Sequence, residues 1–173
     1  MNVKTLVGMQ VFAVDAGKQL GTVERVLFSP EHKRIENFVV TPEIGLMDEP
    51  QPQKMIAVDK IKGLGQDAIT VDSESLLDTL ADGELPSGLV AFDEIEKERV
   101  MTEGGEQVGE VSSIDFDDAS FAIDFIEVGR GFMSGSILIA VENVVSVGED
   151  VIVVKDAALT SDEPDDVIVE ENT

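Results

Sequence analysis

The sequence predicts an all-β protein made of two small antiparallel β-barrels in tandem. The first observation is an internal repeat: seven residues between positions 17 and 40 recur 88 positions later, and seven between positions 56 and 71 recur 83 positions later. The five-residue difference falls in one loop, as expected for a duplicated domain. The second observation is that short apolar runs bounded by turn residues fill both copies, a pattern typical of antiparallel strands.

The first repeat begins with a predicted β-hairpin. Residues 10–14 have a strand pattern, residues 15–18 form the turn, and a second strand begins at Leu20. In this second strand the apolar alternation slips by one residue after Val23, and in the second copy it slips after Val111. A shared slip predicts a β-bulge at the same place in both repeats.

The remaining strands follow in the same order in both copies. The predicted pairs are a third strand (35–40 and 121–128), a fourth strand (54–58 and 137–141) that leads into a short helix or turn, and a closing strand (68–71 and 151–154). Each repeat is therefore predicted to be an antiparallel barrel of five or six strands, and we expect the two barrels to pack about a pseudo-twofold axis.

The segments outside the barrels have a different composition. The predicted boundaries are 1–73 for the first repeat, 74–92 for a linker, 93–157 for the second repeat and 158–173 for a tail. In the linker, Ser75 and Asp78 have capping-box spacing, several leucines share a helical stripe and Gly83 follows them, which predicts a short helix. Because six of the last fourteen residues are acidic, we expect the tail to be disordered.

Charge and composition exclude several kinds of partner. The 36 acidic and 12 basic residues give a net charge of −24, whereas binding to nucleic acid requires clustered Lys and Arg. The same argument disfavours anionic lipid, although an acidic surface is also explained by a salty cytoplasm or by solubility. The chain has no cysteine and no apolar run long enough to span a membrane, and its start does not have the pattern of a signal peptide. We therefore expect a cytoplasmic protein that does not span a membrane.

The repeat unit resembles the PRC-barrel family. The resemblance is carried by Leu6, Val7, Gly8 and Met9, by Gly17, Gly21, Thr22 and Val23, by Phe38, Val39 and Val40, and by Ile56, Ala57 and Val58. It covers about residues 5–73 and 93–156. The second copy has Glu96 and Lys97 in place of the Gly8-Met9 pair, so we expect its first strand to be frayed or contributed differently. The resemblance implies an adaptor that docks on another protein of unknown identity, and it is compatible with a homodimer.

Residues suited to catalysis or metal binding are few. The single histidine, His32, lies in a predicted turn, so a catalytic triad would have to be built on a mobile tip. Asp115, Asp117 and Asp118 resemble the start of a calcium loop, but the required glycine and glutamate do not follow, so we expect a polar turn. We expect no catalytic residues, no metal site and no cofactor.

The candidate partner-binding residues lie in the loop where the two copies differ in length. Leu46 and Met47 in the first copy, and Phe132 and Met133 in the second, are large apolar residues in otherwise polar or Gly-rich loops. Exposed apolar side chains at a loop tip often mark a contact surface, and methionine adapts to varied partners. The alternative is that the tips fold over the barrel ends or pack one repeat against the other.

The sequence therefore favours a non-enzymatic interaction or scaffold module. The alternative is a regulator that binds a small ligand or a divalent metal in an acidic cleft between the barrels. Glu36 and Asp124, which occupy equivalent positions in the third strand of each copy, are the candidate residues for that cleft. A solvated strand face or an internal salt bridge explains them as well.

Overall fold

The predicted all-β architecture with two barrel repeats is confirmed. The structure is a computed structural model that describes residues 1–132 and 134–159. The first repeat contains β1 (Gln10–Ala13), β2 (Lys18–Ser29), β3 (Arg34–Thr41), β4 (Lys54–Ala57), β5 (Ile61–Leu64) and β6 (Ala68–Val71). The linker and the start of the second repeat contain β7 (Asp78–Thr79), β8 (Val90–Ala91) and the one-turn helix α1 (Phe92–Ile95). The second repeat contains β9 (Arg99–Thr102), β10 (Gln107–Phe116), β11 (Ile123–Gly129), β12 (Ser136–Ala140), β13 (Val144–Val147) and β14 (Ile152–Val154).

The two repeats have the same strand order. One sheet runs β5–β6–β1–β2–β3–β4, with β7 added to β4 and β8 to β2, and the other runs β13–β14–β9–β10–β11–β12. The pairs β1–β6 and β9–β14 are parallel, whereas the other neighbours are antiparallel as predicted. The sequence did not predict β5 and β13, which follow the short 3-10 turns Val58–Lys60 and Val141–Asn143. In the described part of the chain, no helix has the length and apolarity needed to cross a membrane.

The predicted β-bulges are confirmed in both copies. The β2–β3 register shifts between Val23 and Arg25, and the β10–β11 register shifts between Val111 and Ser113. A bulge adds local twist and bends its strand, which is the curvature that a long strand needs to wrap around a small core. The slip in the alternation of apolar residues, present in both copies, therefore marks the position of the β-bulge.

A short antiparallel bridge joins the repeats about a pseudo-twofold axis. Arg34 pairs with Ala122, which is its own counterpart at the offset of 88. The amide of Ile35 donates to the carbonyl of Phe121 (2.8 Å), and the amide of Ile123 donates to that of Lys33 (2.9 Å). These two hydrogen bonds exchange equivalent partners, as across a twofold interface between subunits. The expected pseudo-twofold packing is present.

The N-terminal segments of the two repeats are exchanged. Asn2 forms a bridge with Asp115 of β10, and the amino group of Met1 donates to the carbonyl of Phe116 (2.6 Å). In the equivalent exchange, Ala91 of β8 pairs with Leu27 of β2. The main hydrophobic core contains buried residues of both repeats, so the two barrels share one core.

The linker differs from the predicted short helix. It forms two 3-10 turns, Glu74–Leu76 and Ala81–Gly83, with β7 between them, and its first cap is Ser73 rather than Ser75. The extended backbone of β7 continues the sheet at β4, and Leu80 is buried with Leu27, Val39 and Ala91 in a second apolar cluster. Pairing with an open sheet edge and burial of the leucine side chains therefore replace the helix.

The start of the second repeat keeps its first strand although it lacks the glycine. Lys97 has φ +71°, close to the +85° of Gly8, and both residues lie in the left-handed region. The amide of Lys97 donates to Val111 (2.8 Å), as that of Gly8 donates to Val23 (2.7 Å). At the other end of this repeat, the 3-10 turn Asp156–Leu159 buries Ala158. The tail predicted to be disordered begins at residue 158, but residues 158 and 159 belong to this turn, and residues 160–173 lie outside the described residues.

Candidate functional site

The loop tips that the sequence singled out are fully exposed. The loop between β3 and β4 leaves Leu46 and Met47 with exposed fractions of 108% and 98%, and Phe132, between β11 and β12, has 108%. The first loop is held by a turn in which the Gly45 amide donates to the Asp48 carboxylate (3.1 Å). These three side chains neither fold over a barrel end nor pack against the other repeat. Met133 lies outside the described residues.

The two tips do not form one surface. β3 and β11 both begin beside the Arg34–Ala122 bridge and run in opposite directions from it. At about 3.3 Å per residue, the two strands place their far ends on the order of 40 Å apart. The strands therefore lead to two separate apolar tips on opposite sides of the Arg34–Ala122 bridge.

The carboxylates predicted to line an acidic cleft do not meet. Glu36 lies two residues beyond the bridge on β3 and Asp124 two residues beyond it on β11, so antiparallel pairing separates them by about 13 Å. Oε1 of Glu36 instead lies 3.2 Å from Nδ1 of His32 and 3.9 Å from Nε of Arg34. Among the described residues, no group of three His, Asp or Glu side chains is arranged to hold a metal ion.

The aspartate-rich turn is stabilised by hydrogen bonds within the turn itself. The Asp117 carboxylate accepts hydrogen bonds from the hydroxyl of Ser120 (2.7 Å), from its amide (2.7 Å) and from the amide of Ala119 (3.2 Å). These hydrogen bonds, led by the one from the Ser120 hydroxyl, lower the pKa of the Asp117 carboxyl. The carboxylate therefore serves as a turn cap, which agrees with the polar turn that the sequence predicted.

An apolar pocket of about 240 Å³ opens between the two repeats. We call it the inter-repeat pocket, and its walls include Phe28, Lys33, Ile126, Val141, Val144 and Val147. Ser29, the last residue of β2, and Glu31, in the turn that follows it, also line the pocket. The pocket borders β13, which is the last strand of its sheet.

At the place related to this pocket by the pseudo-twofold axis, a phenylalanine fills the space. The ring of Phe121 stacks on Phe116 (centroids 6.1 Å apart) and meets Phe38 edge-on (6.3 Å). The counterpart of Phe121 at the offset of 88 is Lys33, and both residues have left-handed backbones, with φ +60° and +53°. The inter-repeat pocket and the place occupied by Phe121 are therefore related by the pseudo-twofold axis. The pocket has Lys33 where the other place has the buried ring of Phe121.

Sequence reasoning missed this pocket, although the repeat alignment contains its signal. The pocket has Lys33 where its counterpart has Phe121, and Ile126 where its counterpart has Phe38. At both positions the pocket has a non-aromatic residue where its counterpart has a phenylalanine. A comparison of the two copies position by position, searching for lost aromatic residues, would have indicated a space.

Comparison with protein families supports the division into two repeats. The family model of the PRC-barrel domain matches the chain over residues 1–77 and 88–160. The gap between the matched segments falls in the linker, and each segment contains one complete set of six strands. A search of the curated proteins finds no match.

Proposed function

The chain belongs to the PRC-barrel domain family, and from this premise we propose that it is a non-enzymatic interaction module that docks on another protein. The observation that carries the proposal is the full exposure of Leu46, Met47 and Phe132 at equivalent loops of the two repeats. Large apolar side chains at a loop tip gain nothing from folding, because they stay in water. They gain free energy only when a partner covers them.

The placement of the tips favours a scaffold that contacts two surfaces. Because β3 and β11 lead to the tips in opposite directions from the bridge, the two tips are suited to two separate contacts rather than to one small partner. The net charge of −24 favours partners with basic surfaces, since complementary charge speeds association and excludes acidic competitors. Docking would then combine an apolar tip contact with long-range attraction.

The other functions considered have less support. The only histidine in the sequence, His32, lies on an exposed turn, and its ring faces the carboxylate of Glu36. The separation of Glu36 from Asp124 does not favour a metal held between the repeats. We therefore propose no catalytic activity and no metal site.

Co-purification from the native cells tests the proposal. The tagged wild-type chain is compared with three variants. One variant combines Leu46→Ser and Met47→Ser, the second carries Phe132→Ser alone, and the control carries Val14→Ser, which changes another exposed apolar residue away from the tips. We expect the wild type and the control to recover more of a partner protein than either folded tip variant does, because each variant removes one of the two tips. Equal recovery by all variants would refute docking through the tips.

A further inference from the structure

We propose that the inter-repeat pocket receives a phenylalanine side chain presented by a partner polypeptide. This inference rests on the proposed function, because it names a second contact through which the module would hold another protein. The occupant is suggested by the molecule itself, since the equivalent position contains the ring of Phe121, which is 8% exposed.

The walls of the pocket suit an aromatic ring. Phe28 stands where Phe116 stacks on the ring of Phe121, and Ile126 stands where Phe38 meets that ring edge-on. The volume of about 240 Å³ exceeds the roughly 150 Å³ at which an apolar cavity already accepts benzene. The half-buried Lys33 lines the space without closing it.

The border of the pocket favours a polypeptide over a free small molecule. Among the strands that the structure describes, β13 pairs only with β14, so the main-chain groups of its outer edge face away from the sheet. Val145 in this edge strand lines the pocket and is 48% exposed. An extended segment added alongside β13 would gain main-chain hydrogen bonds while one of its side chains enters the pocket, which is the usual logic of strand addition.

Charge selects the partner further. Two copies of this chain, each with a net charge of −24, repel one another, so the exposed Phe132 of a second copy is a poor occupant. Glu31 and Lys33 line the pocket with opposite charges, so the preference for a basic segment comes from the net charge of the whole chain. The partner segment is therefore expected to carry basic residues beside its phenylalanine.

A peptide titration tests the pocket directly. The full chain, labelled with ¹⁵N, is titrated with the capped peptide Lys-Val-Phe-Val-Lys and with the same peptide carrying Ala in place of Phe, and amide shifts are followed by NMR. We expect the shifts to concentrate at residues 31–33 and 144–147. Because burying a phenylalanine side chain is worth a factor of about 10 or more in affinity, the Ala peptide should bind at least that much more weakly.

Two variants test whether the ring enters the pocket. Lys33→Phe copies Phe121 and fills the space from inside, so it should abolish the shifts. Val145→Lys copies its repeat counterpart Lys62 at an exposed position, so the chain should stay folded while the affinity falls about 5-fold or more. Equal binding of the two peptides, undiminished binding by either folded variant, or no shifts at millimolar peptide would overturn the proposal.

A control for self-association completes the experiment. Light scattering of the unliganded chain should give a mass that neither Phe132→Ser nor Lys33→Phe changes. A dimer lost in both variants would show that a second copy occupies the pocket, which overturns the proposal. Because the titration uses a defined peptide, it can fail while the tip variants still lose their native partner, and the reverse also holds.

Discussion

Glycine at position 109 should be indispensable because two strands approach each other closely there. A Cβ atom at Gly109 would lie 3.0 Å from both the carbonyl carbon of Gly129 and Cγ1 of Val128, and closer still to the Gly129 oxygen. The counterpart, Gly21, is equally crowded, with the carbonyl carbon of Thr41 at 2.8 Å from a Cβ. Both copies therefore keep glycine because backbone atoms occupy the space of a side chain.

The cost of Gly109→Ala follows from the atoms that must move. The obstacle is main chain, so β10 and β11 would have to separate locally, breaking one or two hydrogen bonds worth about 1 kcal/mol each. The forced displacement adds an overpacking cost of about 1–3 kcal/mol. We expect a loss of about 2–5 kcal/mol in the free energy of unfolding, which lowers Tm by roughly 4–20 °C for a chain of this length.

Thermal and urea unfolding of a matched pair of variants checks this reasoning. Gly129→Ala is the control, because its Cβ would lie no closer than 3.8 Å to the nearest atom outside its chain neighbours, although the residue belongs to the same strand pair. The control should stay within about 0.5 kcal/mol of wild type. A Gly109→Ala protein as stable as the control would refute the steric argument.

Three further predictions concern strain, charge and the exchanged segments. Lys97→Gly should stabilise the protein by about 0.5–1 kcal/mol in urea unfolding, because it removes a left-handed lysine. Burial, and secondarily repulsion from Asp150, raises the pKa of the Glu98 carboxyl in the folded protein. Its ionised form therefore destabilises the fold at pH values above the unfolded pKa, and this cost disappears as the pH falls. Glu98→Gln should raise Tm at pH 7.5 but not at about pH 3.5. The hydroxyl of Ser113 donates to the side chain of Asn2 (2.7 Å), so a double-mutant cycle of Asn2→Ala and Ser113→Ala should give a coupling of about 1 kcal/mol, whereas additive losses would contradict the exchange.

The strand framework could be predicted because the duplication shows which features of the sequence matter. A slip in alternation within one strand is weak evidence, but the same slip after Val23 and after Val111 indicates a bulge that both copies preserve. The closing strand of the first repeat, Ala68–Val71, has the predicted bounds. In such segments local pattern and tertiary packing agree, so sequence reasoning succeeds.

The linker could not be predicted because its pattern fits two structures. Leucines at positions 76, 77 and 80 can share a helical stripe, but they can also cover a sheet from an extended chain. The open edge of β4 decides the outcome, since pairing Met55 with Asp78 satisfies main-chain groups that a free helix would leave exposed. That edge exists only in the folded barrel, and no local signal in the linker reports it.

The sequence predicted the exposure of Leu46, Met47 and Phe132 but not their arrangement, and their role in binding a partner stays a prediction. The exposed tips are where the sequence placed them, but nothing in the sequence shows that β3 and β11 diverge from one bridge. Because that bridge joins Arg34 to its own counterpart, every surface feature shared by the repeats must occur twice, at positions related by the axis. Glu36 and Asp124 are therefore kept apart by the same symmetry that makes them equivalent.

This symmetry also limits how many partners each kind of contact can hold. One tip occurs in each repeat, so a partner that recognises them can bind at either of the two loops of one chain. The inter-repeat pocket exists only where Lys33 replaces the ring that Phe121 supplies on the other side, so it can bind one segment per chain. Calorimetric titration of a partner would therefore separate the two contacts: binding through the pocket saturates at one partner per chain, and binding through the tips alone continues towards two.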